Sequence, residues 1–261
     1  MVSLPHLVDL TILADPPVHS ILLNHLVIPT QAPLTLRFKV DGDGPPLQDF
    51  LPKKLENLKN IRSVTSVNLL FDGVGRFMRL EGPIGGLYVF GHWKDLASFD
   101  SDRRVFKFLN HRDFALSGAQ RLVITKFKHP MVARIKESAS YLIFLRMKAL
   151  RTLTLIQCNN LPFILALNPD QNPLKHIICP KLEEVVLYVE KRESFNISAL
   201  ITMAKERASR RKKLPSITII SLGELVPGRE VFKLGEYVTS VVYRVMEEPP
   251  AWDSIPEDGD C

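Results

Sequence analysis

The residue with the clearest potential for chemistry is Cys158, in the apolar stretch LRTLTLIQCNNLPFIL at 150–165. A cysteine becomes a nucleophile when a nearby base and an electropositive setting stabilise its thiolate. The neighbouring sequence supplies neither. We therefore predict a scaffold role, in which the Cys158 side chain turns inward after a strand and satisfies backbone groups. The same role is predicted for Cys179, a small residue before a turn proline.

Other motifs that carry chemistry are missing from the sequence. Its seven histidines form no H-E-x-x-H or other metal spacing, and there is no P-loop and no G-x-S-x-G elbow. We predict no catalytic residue, no cofactor and no metal site, and expect that the chain is not an enzyme. An enzyme whose residues converge from distant parts of the chain remains an alternative.

The composition describes an ordinary folded protein. The chain has 261 residues, 46% of them hydrophobic, and a net charge of +6. Its three cysteines show neither a disulfide framework nor zinc spacing, which favours a reducing compartment. No basic leader and no apolar run of about 20 residues is visible. We therefore expect a cytoplasmic or nuclear protein with no membrane partner.

The stretch around Cys158 is one copy of a repeated pattern. Its template, Leu150-x-x-Leu153-x-Leu155, recurs from Leu182 and from Leu214, each 32 residues further on. Further copies begin at 7, 64, 84 and 119, with a weaker copy at 238 and a degenerate one at 31. The fourth and sixth template positions place two apolar side chains on one face of a short strand. Such a unit cannot bury that face alone, so its neighbours must stack.

The segments between the copies have helical spacing in several places. In the clearest, 196–210, apolar residues form one stripe behind a possible cap at Asn196 or Ser194. Alternating strands and helices predict an α/β fold with parallel strands. We predict a curved solenoid over 1–245, with strands on its concave face and helices and irregular segments on its convex face. Residues 71–117 depart from the pattern and suggest a hairpin, and the acidic tail 246–261 is predicted to be disordered.

Two stretches resemble a known family. LRTLTLIQCNNL is similar to the leucine-rich-repeat pattern L-x-x-L-x-L-x-x-N/C-x-x-L, and CPKLEEVVLYV is similar to its cysteine-containing variant. Together with the order of the other copies, they resemble the repeat region of F-box-like proteins from mushroom-forming fungi. The resemblance implies a substrate-recognition domain of a cullin–RING ubiquitin ligase. No F-box motif is visible, so a Skp-type adaptor is expected as partner only if an F-box lies upstream.

A protein-binding role places the contacts on strand residues that point away from the core. These are the third, fifth and seventh template positions, where aromatic and arginine side chains are favoured anchors. The predicted partner-binding residues are Tyr88, Arg121, Thr152, Thr154, Glu184, Tyr188 and Arg244. The basic stretch 205–213 is an alternative site for nucleic acid or an acidic partner. We favour a solvated helix end there, because no aromatic residues are interleaved with its cations.

Overall fold

The fold is known from a computed structural model. It describes residues 1–40, 51–52, 55–61, 63–71, 75–93, 109, 116–126, 139–190, 196–223 and 229–249. Among these residues, no helix is both long and apolar enough to cross a membrane. The tail beyond 249, which includes Trp252, lies outside the described residues.

Most strands of the described chain belong to one large sheet. A two-residue parallel pair, β1 with β3, forms a second, minor sheet. The strands are β1 (Val2–Ser3), β2 (Leu10–Leu13), β3 (Leu26–Val27), β4 (Leu34–Val40), β5 (Ser66–Phe71), β6 (Gly75–Glu81), β7 (Gly86–Trp93), β8 (Arg121–Thr125), β9 (Thr152–Ile156), β10 (Glu184–Val189), β11 (Leu214–Leu222) and β12 (Val238–Met246).

Helices occupy the return segments. They are α1 (Pro16–His25), α2 (Ala139–Arg146), α3 (Leu161–Leu167), α4 (Ile197–Ser209) and α5 (Arg229–Tyr237), with short 3-10 turns at Leu55–Asn57, Lys59–Ile61 and Leu116–Gly118. The predicted cap of α4 is confirmed, since the Asn196 side-chain oxygen accepts a hydrogen bond from the Ala199 N–H at 2.9 Å. Helices α3 and α5 were not predicted.

The large sheet is mostly parallel and does not close on itself. Its strand order is β12-β11-β10-β9-β8-β5-β6-β7-β4-β2. After β4 the chain passes to β5, three places along the sheet, and β6 and β7 then fill the gap as a meander. β6 is antiparallel to both neighbours, so the predicted parallel arrangement of the strands is interrupted at this one strand. The predicted hairpin within 71–117 is confirmed.

The repeat template aligns with the strand pairing. Leu153 of β9 lies opposite Leu122 and Val185, and Val185 lies opposite Ile217. The strands predicted from all nine copies are present. One detail differs: Ile84, the leading residue of its copy, is 66% exposed. Ile84 lies in the turn between β6 and β7 and is not covered by a helix, so its side chain is not buried in the core.

The apolar positions of the template form the core. Residues such as Leu122, Leu153 and Ile217 are at most 1% exposed. Each crossover from β8 to β12 leads to the adjacent strand in the same direction, and because such crossovers are almost always right-handed, we expect the helices of these segments on one face. Consistent with this, α2 packs on α3, α3 on α4, and α4 on α5. The result is a helical layer on one face of a mixed α/β sheet.

Candidate functional site

The face of the sheet that points away from the core is the candidate site, and we call it the outer face. Side chains alternate between the two faces of a strand, so the third, fifth and seventh template positions share this face. The strand register aligns these positions across the sheet into three rows. Adjacent residues in a row are about 4.8 Å apart, the spacing between strands.

The structure brings three of the predicted residues directly together. Arg121 lies opposite Thr152, and Thr152 lies opposite Glu184, in one row. Arg121 is exposed, whereas Thr152 and Glu184 are half-buried. The Glu184 carboxylate accepts a hydrogen bond from the Thr218 hydroxyl at 3.4 Å. This row thus presents a cation and a carboxylate on either side of one threonine.

The other predicted residues of the repeating strands are more dispersed. Thr154 lies in the middle row and is only 9% exposed, so little of it is available to a partner. Tyr188 and Arg244 lie in the third row on either side of Ile220. Tyr188 is half-buried and Arg244 is exposed. Neither residue lies in the row of Arg121. That row is formed by the third template positions, whereas Tyr188 and Arg244 hold the seventh, further along their strands.

Tyr88 lies in a different cluster, on the inserted meander. The Arg79 guanidinium of β6 stacks over the Tyr88 ring, 5.3 Å from its centroid. Arg79 also forms an ion pair with Glu81, with a distance of 2.7 Å from Nε to Oε1. The second carboxylate oxygen of Glu81 accepts a hydrogen bond from the Asn68 amide at 3.2 Å. These contacts fix the arginine and the tyrosine in one orientation.

A second layer of aromatic contacts continues this cluster along the strands. The Arg37 guanidinium of β4 lies 5.4 Å from the centroid of the Phe90 ring. Phe90 meets Phe77 edge to face, with 5.4 Å between ring centroids. All of these side chains are half-buried. We call the set the aromatic–arginine patch; it comprises Arg37, Phe77, Arg79, Tyr88 and Phe90.

Sequence reasoning found only Tyr88 within this patch. The strand β6 has no copy of the template, so its outward residues were not assigned to a face. A signal was nevertheless available in RFMRLE, where Met78 and Leu80 alternate with Phe77, Arg79 and Glu81. Such alternation places the first pair in the core and the others outside. Met78 and Leu80 are indeed buried.

The two internal cysteines have the predicted structural role. Cys158 is 5% exposed, and its thiol donates to the carbonyls of Ile124 and Ile156 at 3.2 and 3.1 Å. Burial raises the pKa of the Cys179 thiol to about 12, although the nearby Arg207 cation opposes the shift. Burial therefore favours the protonated form of the Cys179 thiol at neutral pH.

The basic stretch 205–213 is partly used within the fold. Arg207 is 1% exposed, and its guanidinium donates to the carbonyls of Ile178 and Cys179 at 2.9 and 3.1 Å. Arg210 pairs with the Asp170 carboxylate and donates to the Lys175 carbonyl. These two arginines hold the loop before β10 and are not free for a partner. The exposed cations that remain in the stretch are Lys205, Arg211, Lys212 and Lys213.

The described residues bring together no group of three His, Cys, Asp or Glu side chains that could hold a metal ion. Comparison of the chain with protein-family models, with curated proteins and with solved structures finds no match in any of the three. The outer face is therefore the feature of the molecule that bears on its function.

Proposed function

We propose that this chain is a non-catalytic protein-binding domain, a solenoid of leucine-rich-repeat type whose outer face holds a protein partner. The observation that carries the proposal is the aromatic–arginine patch. Tyrosine and arginine are enriched among the residues that dominate the binding energy of protein interfaces, and phenylalanine is enriched at the interface core. Here they lie next to one another on a face of the sheet that points away from the core.

The contacts within the patch support binding because they limit the motion of its anchors. A long side chain such as Arg79 loses rotamer freedom when it is immobilised at an interface. In this chain Glu81 and Tyr88 already hold the Arg79 guanidinium in place. When a partner contacts Arg79, this side chain would therefore lose less conformational entropy than a mobile arginine would lose. The patch is thus preorganised for a rigid protein surface.

The row Arg121, Thr152 and Glu184 extends the same face toward the repeating strands. In the middle row, three strands lie between Tyr88 and Thr154, which corresponds to about 19 Å at the usual strand spacing. That span suits an interface of ordinary size, with the patch as its anchor and the Arg121 row as a polar periphery.

The resemblance to F-box-like proteins extends this proposal to a cellular role. The domain would hold a substrate for a cullin–RING ubiquitin ligase. A Skp-type adaptor would join only in a longer product that carries an F-box. The outer face would then supply substrate recognition, and the ligase chemistry would come from other subunits.

Affinity capture with matched variants tests the binding role. The full chain, the double variant Arg79→Ala with Tyr88→Ala, and the control Phe232→Ala with Lys233→Ala are immobilised and exposed to an extract of the source cells. The control also removes an aromatic residue and a cation, both exposed on α5 of the helical layer. Quantitative mass spectrometry then compares the bound proteins, and circular dichroism checks that all three chains are folded.

We expect at least one protein to be retained by the wild type and the control but lost from the patch variant. Its purified form should bind the wild-type chain directly, and more weakly by about tenfold or more after loss of two anchor residues. Identical sets of proteins on all three chains, or purified binding that ignores the patch, would exclude the outer face as the site.

A further inference from the structure

A second surface lies along the edge of the sheet where strands β9, β10 and β11 begin. Tight turns precede the first two of these strands. The Leu150 N–H donates to the Met147 carbonyl, and the Leu182 N–H donates to the Cys179 carbonyl, both at 3.1 Å. Residues 211–214 hold the corresponding place before β11, and Arg211 has the same positive φ as Cys179, 60° against 50°.

The central positions of these corresponding segments carry lysines. They are Lys148 in the first, Lys181 in the second, and Lys212 with Lys213 in the third, and all are exposed. The strands that follow are hydrogen-bonded neighbours, about 4.8 Å apart. The repeat therefore arranges these side chains in a line at one edge of the sheet. We call this line, with the exposed Arg211, the basic edge.

The carboxylates near the basic edge are already engaged elsewhere. Glu183 pairs with Arg151 at 2.9 Å, and Asp170 pairs with Arg210. Within the described part of the chain, no ion pair involves a cation of the basic edge. Several like charges thus lie side by side without a counterion among the described residues, which produces a local positive potential there.

We propose that the basic edge is a second binding surface, which takes an acidic polypeptide segment carrying several carboxylates. The two neighbouring ion pairs show that arginines at this end of the strands accommodate carboxylates. Four of the five cations are lysines, which act as point charges and suit an irregular acidic segment. Single-stranded nucleic acid is disfavoured, because binding of its bases requires aromatic side chains between the cations and the basic edge has none.

This surface is distinct from the aromatic–arginine patch of the outer face. The aromatic–arginine patch lies on β4, β6 and β7, whereas the basic edge lies before β9, β10 and β11. A partner could therefore contact the two surfaces independently. The acidic segment could belong to the protein held by the outer face or to another protein.

Fluorescence anisotropy with a labelled oligoglutamate peptide tests the proposal on the full chain. The double reversal Lys181→Glu with Lys213→Glu is compared with Arg229→Glu with Lys233→Glu, which changes the net charge equally on exposed residues of α5. The basic-edge variant should bind roughly tenfold more weakly, because two attractive charges become repulsive, while the α5 variant loses much less. Wild-type binding should also weaken as salt is raised.

The same measurement distinguishes this proposal from the function assigned to the outer face. The variant Arg79→Ala with Tyr88→Ala should bind oligoglutamate as the wild type does. Equal losses in the basic-edge and α5 variants would overturn the proposal, since they would show a response to net charge alone. So would an oligothymidylate that binds the basic edge more tightly than the peptide, or the absence of peptide binding at low salt.

Discussion

Two parts of the same sheet differ in construction and in the side chains they present. From β8 to β12, each strand is parallel to the one before and is reached by a crossover. The outer face there consists largely of small and β-branched residues such as Thr154, Val186 and Thr218. Between β5 and β4, a meander fills the sheet instead, and its outer face carries Arg79, Tyr88 and Phe90.

The repeating strands and the meander have different structural roles. In the repeating part, each outer residue lies beside its counterpart from the next repeat, and β-branched side chains pack well in such ladders. Strand β6 of the meander carries no copy of the template, so larger and charged residues can pair locally there, as Arg79 and Glu81 do. The repeating part therefore supplies a regular scaffold, and the meander supplies the charged and aromatic side chains of the outer face.

The largest expected effect lies in the scaffold, at Arg207. We expect Arg207→Met to lower the free energy of unfolding by about 3 kcal/mol, because two buried carbonyls lose their donors. Burial lowers the pKa of this guanidinium to about 10, and its hydrogen bonds to the Ile178 and Cys179 carbonyls satisfy two of its buried donors. Urea denaturation measures the change.

The control for this prediction is Arg210→Met, three residues further on at the C-terminal cap of α4. Arg210 is partly exposed and pairs with Asp170 at the surface, so its loss should cost at most about 1 kcal/mol. If the two variants are equally stable, the buried guanidinium does not hold the loop before β10.

The contrast between the two parts also explains what the sequence could reveal. The spacing of Leu153 and Leu155 predicted β9 and the strands beside it, because one apolar face produces a regular alternation. The antiparallel strand β6 lacks the template, so Arg79 and Glu81 were missed. The burial of Arg207 could not be predicted either. The stretch KERASRRKK does not show that two carbonyls of a distant loop lie beneath one of its arginines.

In the meander, we expect Gly85→Ala to lower the free energy of unfolding by about 2 kcal/mol. A methyl group at Gly85 would lie 2.3 Å from the Thr30 carbonyl oxygen, so backbone would have to move. The control is Gly235→Ala in α5, where no atom lies within 4 Å of the added carbon. That change should be neutral or stabilising by up to about 1 kcal/mol, as alanine favours a helix. A harmless Gly85→Ala would show that the meander is loosely docked.

A smaller, pH-dependent effect is expected at His19 in α1. Burial lowers its pKa, although a hydrogen bond to the Ile12 carbonyl and the charge of Asp15 oppose the shift. The unfolded chain therefore takes up the proton first, at about pH 6.5. The stability contributed by neutral His19 is complete above that pH and declines as the pH falls toward the folded pKa.

Hydrogen exchange on either side of pH 6.5 measures this effect. After correction for the pH dependence of intrinsic amide exchange, we expect acidification to lower protection factors in α1 and β2 before it does so in α4, and His19→Gln to remove the difference. A uniform loss of protection across the sheet, or an unchanged response in the variant, would assign the acid sensitivity to other groups.

The smallest expected effect tests whether the outer face of the scaffold is built for packing rather than for polar contacts. The Thr125 hydroxyl is buried and has no hydrogen-bond partner within the described residues, and its row neighbours Leu70 and Ile156 are apolar. Thr125→Val should therefore raise the free energy of unfolding by about 0.5 kcal/mol. Thr218→Val is the control, because the equally buried Thr218 hydroxyl donates to Glu184 and its loss should be neutral or destabilising. Thermal denaturation of the two variants shows whether each substitution raises or lowers the free energy of unfolding. A destabilising Thr125→Val would mean that this hydroxyl has a polar role, and that the scaffold shares in the chemistry we assign to the meander.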